Sequence, residues 1–156
     1  MINKAAFAAG CFWHVQEAFD KIPGVLKTKV GFMGGAIASP TYNQVCSGKT
    51  GHAETVELEF DDQKVTYEQL LSHFFTLHDP TSVDRQGPDI GNQYRSAIFY
   101  YNEAQHQQAK EMISQLNEKH RYNKPIVTQV APAGDFYSAE DYHQKYFAKQ
   151  CGFPRK

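Results

Sequence analysis

No hydrophobic run in these 156 residues approaches the ~20 apolar residues that a membrane-spanning helix needs. Cysteine is scarce and scattered: Cys11, Cys46 and Cys151 stand far apart, with no CxxC pair. That excludes a thioredoxin-type dithiol and a zinc knuckle, and an odd number of cysteines cannot pair completely within one chain. A surplus of either charge is missing too. Lys and Arg total 16 against 17 Asp and Glu, a formal net charge of −1. With no basic excess to neutralise phosphates, nucleic acid is not expected as a partner. No HExxH or similar metal-ligand spacing occurs, and no repeat or low-complexity tract interrupts the chain. The stretch Ala5 to Gly10 ahead of Cys11 superficially looks like the end of a lipoprotein signal. It is shorter than the roughly 7–15 residues of a signal core and runs straight into an amphipathic pattern, so a cytoplasmic protein is expected.

What is present is ordinary globular material, 41% hydrophobic and 21% charged. A chain of about 150 residues buries roughly 68–70% of its unfolded surface, enough to be stable without a disulfide or a metal. One domain spanning residues 1–156, monomeric, is the expectation. Aromatics reach 13%, mostly Tyr and Phe, with a single Trp. Such a surplus suits an aromatic pocket or a thick aromatic core equally well.

Periodicity gives the elements. Ala5 to Ala9 reads as a buried strand ended by Gly10, and Phe12, Val15, Phe19 and Ile22 follow at helical spacing. Leu26, Thr28, Val30 and Phe32 alternate as a strand, as do Val56, Leu58 and Phe60. Thr66-x-x-Gln69 is a capping box opening a helix with Leu70, Leu71, Phe74 and Phe75 on one face. Ala97 to Tyr101 suits a central strand. Asn102 caps a helix running to about Lys119. Ile126 to Ala131 reads as a strand, and Ser138 as the cap of a last helix through about Lys149, with Tyr142, Tyr146 and Phe147 inside. Two long polar loops, Gly34 to Gly51 and Asp79 to Arg95, have the length of functional loops. The first six elements match the split β-α-β order. The expected fold is α+β, a ferredoxin-like two-layer α/β sandwich with a mixed sheet and additional helices.

Three groups can carry chemistry. Cys11 sits between a strand end and a helix start, where the helix N-terminus favours the thiolate. Phe12 and Trp13 follow, and at least one can wall a pocket beside the sulfur, because adjacent helical residues point apart. Glu54 shares the parity of Val56, Leu58 and Phe60, which turns it inward. Desolvation there would keep it an acid near neutrality; at the strand end it could equally reach solvent or cap loop amides. In the polar loops, Tyr42, Asp89 and Tyr94 can donate or share protons. His52, His78 and His143 are candidate bases, although a His on an apolar face, as His143 is, reads first as a satisfied core residue. A cysteine hydrolase with a histidine base and a ferredoxin-like binding module with an inert Cys11 are the rival readings.

Gly10-Cys11-Phe12-Trp13 resembles the signature of the A-type peptide methionine sulfoxide reductases. Gly31-Phe32-Met33-Gly34-Gly35, Tyr42 to Gly48, Thr50-Gly51-His52-Ala53-Glu54, His78-Asp79-Pro80-Thr81, Arg85-Gln86-Gly87, Gln93-Tyr94-Arg95-Ser96 and Ala139 to Gln144 continue the resemblance in order over nearly the whole chain. The resemblance implies Cys11 as nucleophile, Glu54 as principal acid, and Tyr42, Asp89 and Tyr94 around the sulfoxide oxygen. It implies that Phe12 and Trp13 hold the substrate methyl, and that the S epimer is reduced, free or in proteins, without a cofactor. Attack would leave a sulfenic acid on Cys11. A second thiol would condense with it, and thioredoxin or another dithiol would reduce the disulfide. Cys151, Cys46 and an outside thiol all remain open for the second role, Cys151 being favoured. His14 departs from the glycine that many members carry after the tryptophan.

Overall fold

The computed structural model describes residues 1–140 together with His143 and Gln144. In chain order the elements are β1 (Ile2–Ala9), α1 (Phe12–Asp20), β2 (Val25–Met33), α2 (Tyr42–Cys46), β3 (Ala53–Asp61), α3 (Tyr67–Leu77), β4 (Arg85–Gln86) and β5 (Asp89–Ile90). A 3₁₀ turn at Asn92–Tyr94, β6 (Ser96–Tyr100), α4 (Glu103–Glu118), β7 (Gln129–Pro132) and β8 (Tyr137–Ser138) follow. One six-stranded sheet runs β7-β6-β1-β3-β2-β8, and β4 with β5 forms a separate hairpin. The four strands β6-β1-β3-β2 pair antiparallel throughout. This is the ferredoxin-like order expected from the chain's alternation of elements. The α4 crossover then lays β7 parallel to β6, which makes the sheet mixed.

The sheet has two unlike faces. Phe7, Val30, Phe32, Val56, Leu58, Phe60 and Ile98 face the helices, where they meet Phe12, Val15 and Phe19 of α1, Leu70, Leu71 and Phe74 of α3, and Ala109 of α4. Phe7 lies at the centre, stacked on Phe19 and Phe74 with ring centroids 5.2 Å apart in both pairs. Small residues dominate the other face: Ala6, Ala8, Ala53 and Ala97 with Met33 and Phe99, covered by Ala131, Ala133 and Phe136. Side chains that small leave room for Ala131 of the neighbouring strand and for Ala133 and Phe136 beyond it to pack against them. Two of the three helix caps read from sequence form: Thr66 and Gln69 make a complete capping box, and the Asn102 side chain accepts from Gln105 N.

Three local expectations are corrected. The Gly34–Gly51 loop contains α2, opened by a second complete capping box between Thr41 and Gln44. Ser138 does not cap a helix. It closes β8, which pairs with β2 at Gly31 and Phe32. The physical reason lies at Gly31, where a Cβ would stand within 2.3 Å of the Tyr137 carbonyl oxygen; only glycine lets this backbone dock on the sheet edge. Strand β7 begins at Gln129 rather than Ile126. Tyr142, Tyr146 and Phe147 lie outside the described residues.

Candidate active site

Strand β1 ends at the site and α1 begins there. Gly10, between them, adopts φ +92°, a left-handed conformation, and a Cβ on it would sit 3.0 Å from both Cβ and Cγ of Gln86. Gln86 in turn clamps the hairpin to α3's end, its amide bonding the Asp79 carbonyl at 2.7 Å and accepting from Asp79 N at 2.9 Å. Gly10→Ala is therefore expected to strain the backbone and push the hairpin outward. A loss of roughly 1–3 kcal/mol should be read as a lower urea midpoint at unchanged slope.

Cys11 is the N-cap residue of α1, and its side chain makes no cap hydrogen bond. The amides of Trp13 and His14 favour its thiolate, as expected at a helix start, but burial and the nearby Glu54 carboxylate outweigh them and push the thiol up to about 11. The expectation of a depressed value fails because the sulfur is withdrawn from water. On one side Cys11 opens into a cavity of about 300 Å³ walled by His14, Leu77, Gln86, Pro88 and Asp89.

Glu54 lies on β3 opposite Phe32 of β2 and is only 1% exposed. Its parity with Val56 and Leu58 does turn it inward, away from solvent. Oε1 accepts a hydrogen bond from the Phe12 amide at 3.2 Å, which fixes the carboxyl one residue from the thiol. Oε2 has no hydrogen-bond partner among the described residues. Burial raises its pKa to about 8 against the pull of the Phe12 amide, and Asp89 adds to the rise. The carboxyl is thus mostly protonated at neutral pH, a buried proton donor.

The remaining groups gather around this pair. Tyr42 opens α2 and is pushed up, first by burial and next by Glu54, with a side-chain hydrogen bond to Cys46 one turn later. Tyr94 is pushed up to about 12, chiefly by burial and then by Glu54, and it interacts with Tyr42. Asp89, half-buried on β5, adds from the hairpin to the rise of both Glu54 and Tyr94. Phe12 is 1% exposed, its ring against Phe32 at 5.7 Å and stacked on Tyr42 at 6.1 Å. Trp13 is half-buried and stacks on Tyr42 at 6.5 Å. Cys46 is exposed. Cys151 lies outside the described residues.

The three candidate histidines are each engaged by other groups, although His78 also lines the cavity that Cys11 opens into. His52 accepts from Gly35 N at 3.0 Å and bonds the Ile37 carbonyl at 2.6 Å, pinning the 34–51 loop. His78 bridges the Phe74 carbonyl and the Ser96 hydroxyl at 2.9 and 2.7 Å; burial lowers its pKa to about 4. His143 is buried against Trp13, to whose indole it bonds. Sequence spacing had no means of placing this contact across 130 positions. Among the described residues no group of three or more His, Cys, Asp or Glu is arranged to hold a metal ion, and no helix is long and apolar enough to cross a membrane.

A thiol beside a buried, protonated carboxyl and an aromatic wall has the parts to attack a polar sulfur or carbonyl centre while its oxygen is protonated. The sequence model of the peptide methionine sulfoxide reductase family matches residues 3–155. The peptide methionine sulfoxide reductase MsrA of Methanothermobacter thermautotrophicus is 53% identical over 94% of this chain and 87% of its own. That of Methanoculleus marisnigri is 50% identical over 97% and 92%. Among solved structures, the methionine sulfoxide reductase A of Corynebacterium diphtheriae superposes with a TM-score of 0.91 at 36% identity, over 99% of this chain and 84% of that one. Reduced Mxr1 from Saccharomyces cerevisiae gives 0.90 at 30% identity, over 99% and 88%.

Proposed function

The chain belongs to the peptide methionine sulfoxide reductase family and reduces methionine sulfoxide, and we propose that Cys11 attacks the sulfoxide sulfur while Glu54 protonates its oxygen. The observation that carries this reading is the buried Glu54 carboxyl, bonded to the Phe12 amide at 3.2 Å and held as an acid up to about pH 8. A sulfoxide oxygen leaves poorly until it is protonated, so attack at sulfur needs a donor aimed at the oxygen. In the proposed step the Cys11 sulfur bonds to the sulfoxide sulfur, the protonated oxygen leaves as water, and water then attacks the Cys11 sulfur, breaking the S–S bond so that methionine departs and Cys11 keeps the oxidation as a sulfenic acid. The thiol and Glu54 supply the two protons that leave with the oxygen, and the proton released by the attacking water restores Glu54, so the step balances without an outside acid.

Tyr42, Tyr94 and Asp89 are assigned to the oxygen side, where the two phenols remain protonated donors at neutral pH. Phe12 and Trp13 are assigned to the methyl side. Exchanging methyl and oxygen would set a methyl against buried donors and an oxygen against aromatic rings, so one epimer, the S form, is selected. Cys151 is the proposed second thiol. It condenses with the sulfenic acid, water leaves, and a disulfide forms. The yeast relative Mxr1 has been crystallised in complex with Trx2, and a thioredoxin-type dithiol is the proposed reductant here, with no bound cofactor. A single monomeric reductase domain over residues 1–156, acting in the cytoplasm on free and protein-bound substrate, completes the proposal.

The test is to incubate the reduced protein with each epimer of methionine sulfoxide and a dithiol, and to quantify methionine. Turnover of the S epimer alone is expected. Equal turnover of both epimers would refute the two-walled pocket, and turnover of neither by folded protein would refute the reading altogether.

A further inference from the structure

We propose that His143 is a positioning residue, which fixes the Trp13 wall of the methyl pocket by accepting the indole hydrogen bond. The inference rests on the assignment of Trp13 to the substrate methyl made above. Trp13 Nε1 donates to His143 Nδ1 at 3.0 Å. An indole N–H can only donate, so His143 is held as the neutral tautomer with its proton on Nε2. The same imidazole packs against three aromatic rings of the site, with centroids 4.3 Å from Tyr42, 5.5 Å from Trp13 and 5.6 Å from Phe12. His143 itself is 1% exposed.

The described residues around His143 are bonded to β2 and α2. Ala139 N donates to the Val30 carbonyl at 3.0 Å. Gln144 closes the same edge of β2 from both sides, donating to Val30 O at 2.8 Å and accepting from Val30 N at 2.9 Å. His143 N donates to the Glu140 carbonyl at 2.9 Å, and the Glu140 carboxylate accepts from Tyr42 N at 3.3 Å. The indole of half-buried Trp13 is thereby tied to a sheet edge rather than to a free loop. A substrate methyl can be told from a larger group only if this wall does not swing.

A plain packing role for His143 predicts different results, because phenylalanine would supply the packing but not the acceptor. In the wild-type protein, nitrogen-15 NMR is expected to show His143 Nδ1 unprotonated and Nε2 protonated, with slow exchange of the indole N–H. The assignment is simple because the chain has one tryptophan. His143→Phe is expected to raise KM for methionine sulfoxide roughly five- to tenfold, the worth of one neutral hydrogen bond, with a smaller change in kcat and a shifted tryptophan emission. It should also weaken the preference for methyl over ethyl sulfoxides. His143→Gln, which retains an acceptor, should restore part of both signals. In a Trp13→Phe background, His143→Phe should add nothing. An Nδ1-protonated tautomer in the wild type would overturn the proposal. So would wild-type KM and emission in His143→Phe, or an equal rise in KM without Trp13. The NMR and emission results stand whether or not the sulfoxide is reduced, so failure of the functional reading is distinguishable from failure of this one.

Discussion

Serine in place of Cys11 is expected to leave a folded protein that forms no methionine above the uncatalysed level, a loss of at least roughly 10⁴-fold. The substitution changes one atom and removes little volume, and Cys11 makes no cap hydrogen bond whose loss would unwind α1. The chemistry fails for two reasons. A serine hydroxyl is far harder to ionise than a thiol, even one pushed up to about 11. Oxygen also cannot accept the oxidation that sulfur stores as a sulfenic acid. Chromatographic methionine release in the presence of excess dithiol measures the loss. Residual turnover within about tenfold of wild type, on the scale of kinetic losses expected for peripheral groups, would move the nucleophile elsewhere.

Glu54→Gln should have opposite effects on two reactions of the same sulfur. Sulfoxide reduction is expected to fall by about 10²–10⁴-fold, the usual worth of a general acid, because an amide keeps the shape but has no proton to give. Alkylation of Cys11 by iodoacetamide above pH 8 should instead become faster. There the wild-type carboxylate is charged and raises the thiol pKa, and the amide removes that repulsion. A merely structural Glu54 would slow both reactions or neither.

Stability supplies a third readout for the same variant. The Glu54 pKa is raised on folding, from 4.5 to about 8. Between those values the folded chain holds a proton that the unfolded chain has released. Folding stability therefore falls as pH rises through this window, by up to roughly 5 kcal/mol. Glu54→Gln is free of this cost, so its advantage in thermal midpoint over wild type should be small at pH 4.5 and largest above pH 8. The residue that donates the proton is thus also one the fold carries at a loss, and desolvation of the carboxyl is the common cause.

Much of this was legible from spacing alone. Parity along 54–60 put Glu54 on the core-facing side, because a strand's alternation leaves a residue only two directions, while its place at the strand end left solvent equally open; burial decides for the core. Gly10 before Cys11 marked a sharp turn, and its left-handed φ bears that out. Thr66 and Gln69 announced a helix, and so did Thr41 and Gln44, but the second pair was masked by the glycine and serine around it and α2 was read as loop. Ser138 misled because a residue suited to a helix cap is equally at home in a short edge strand. Whether it caps or pairs was decided by Gly31, 107 positions earlier along the chain, which no local pattern reveals. Electrostatics was the least legible part. The helix start at Cys11 suggested a lowered thiol pKa, and only the burial of sulfur and carboxyl together reverses that sign.

The central claim is that Cys11 takes up the oxidation while Glu54 supplies the proton. It is tested most directly by a single turnover of reduced Cys46→Ser/Cys151→Ser protein with methionine-S-sulfoxide and no dithiol, followed by mass spectrometry after trapping with a sulfenic-acid reagent. The account predicts one methionine per chain and the trapped adduct on Cys11, with both formed far more slowly when Glu54→Gln is added. Methionine formed with Cys11 left as a free thiol, or at an undiminished rate without the Glu54 carboxyl, would contradict it.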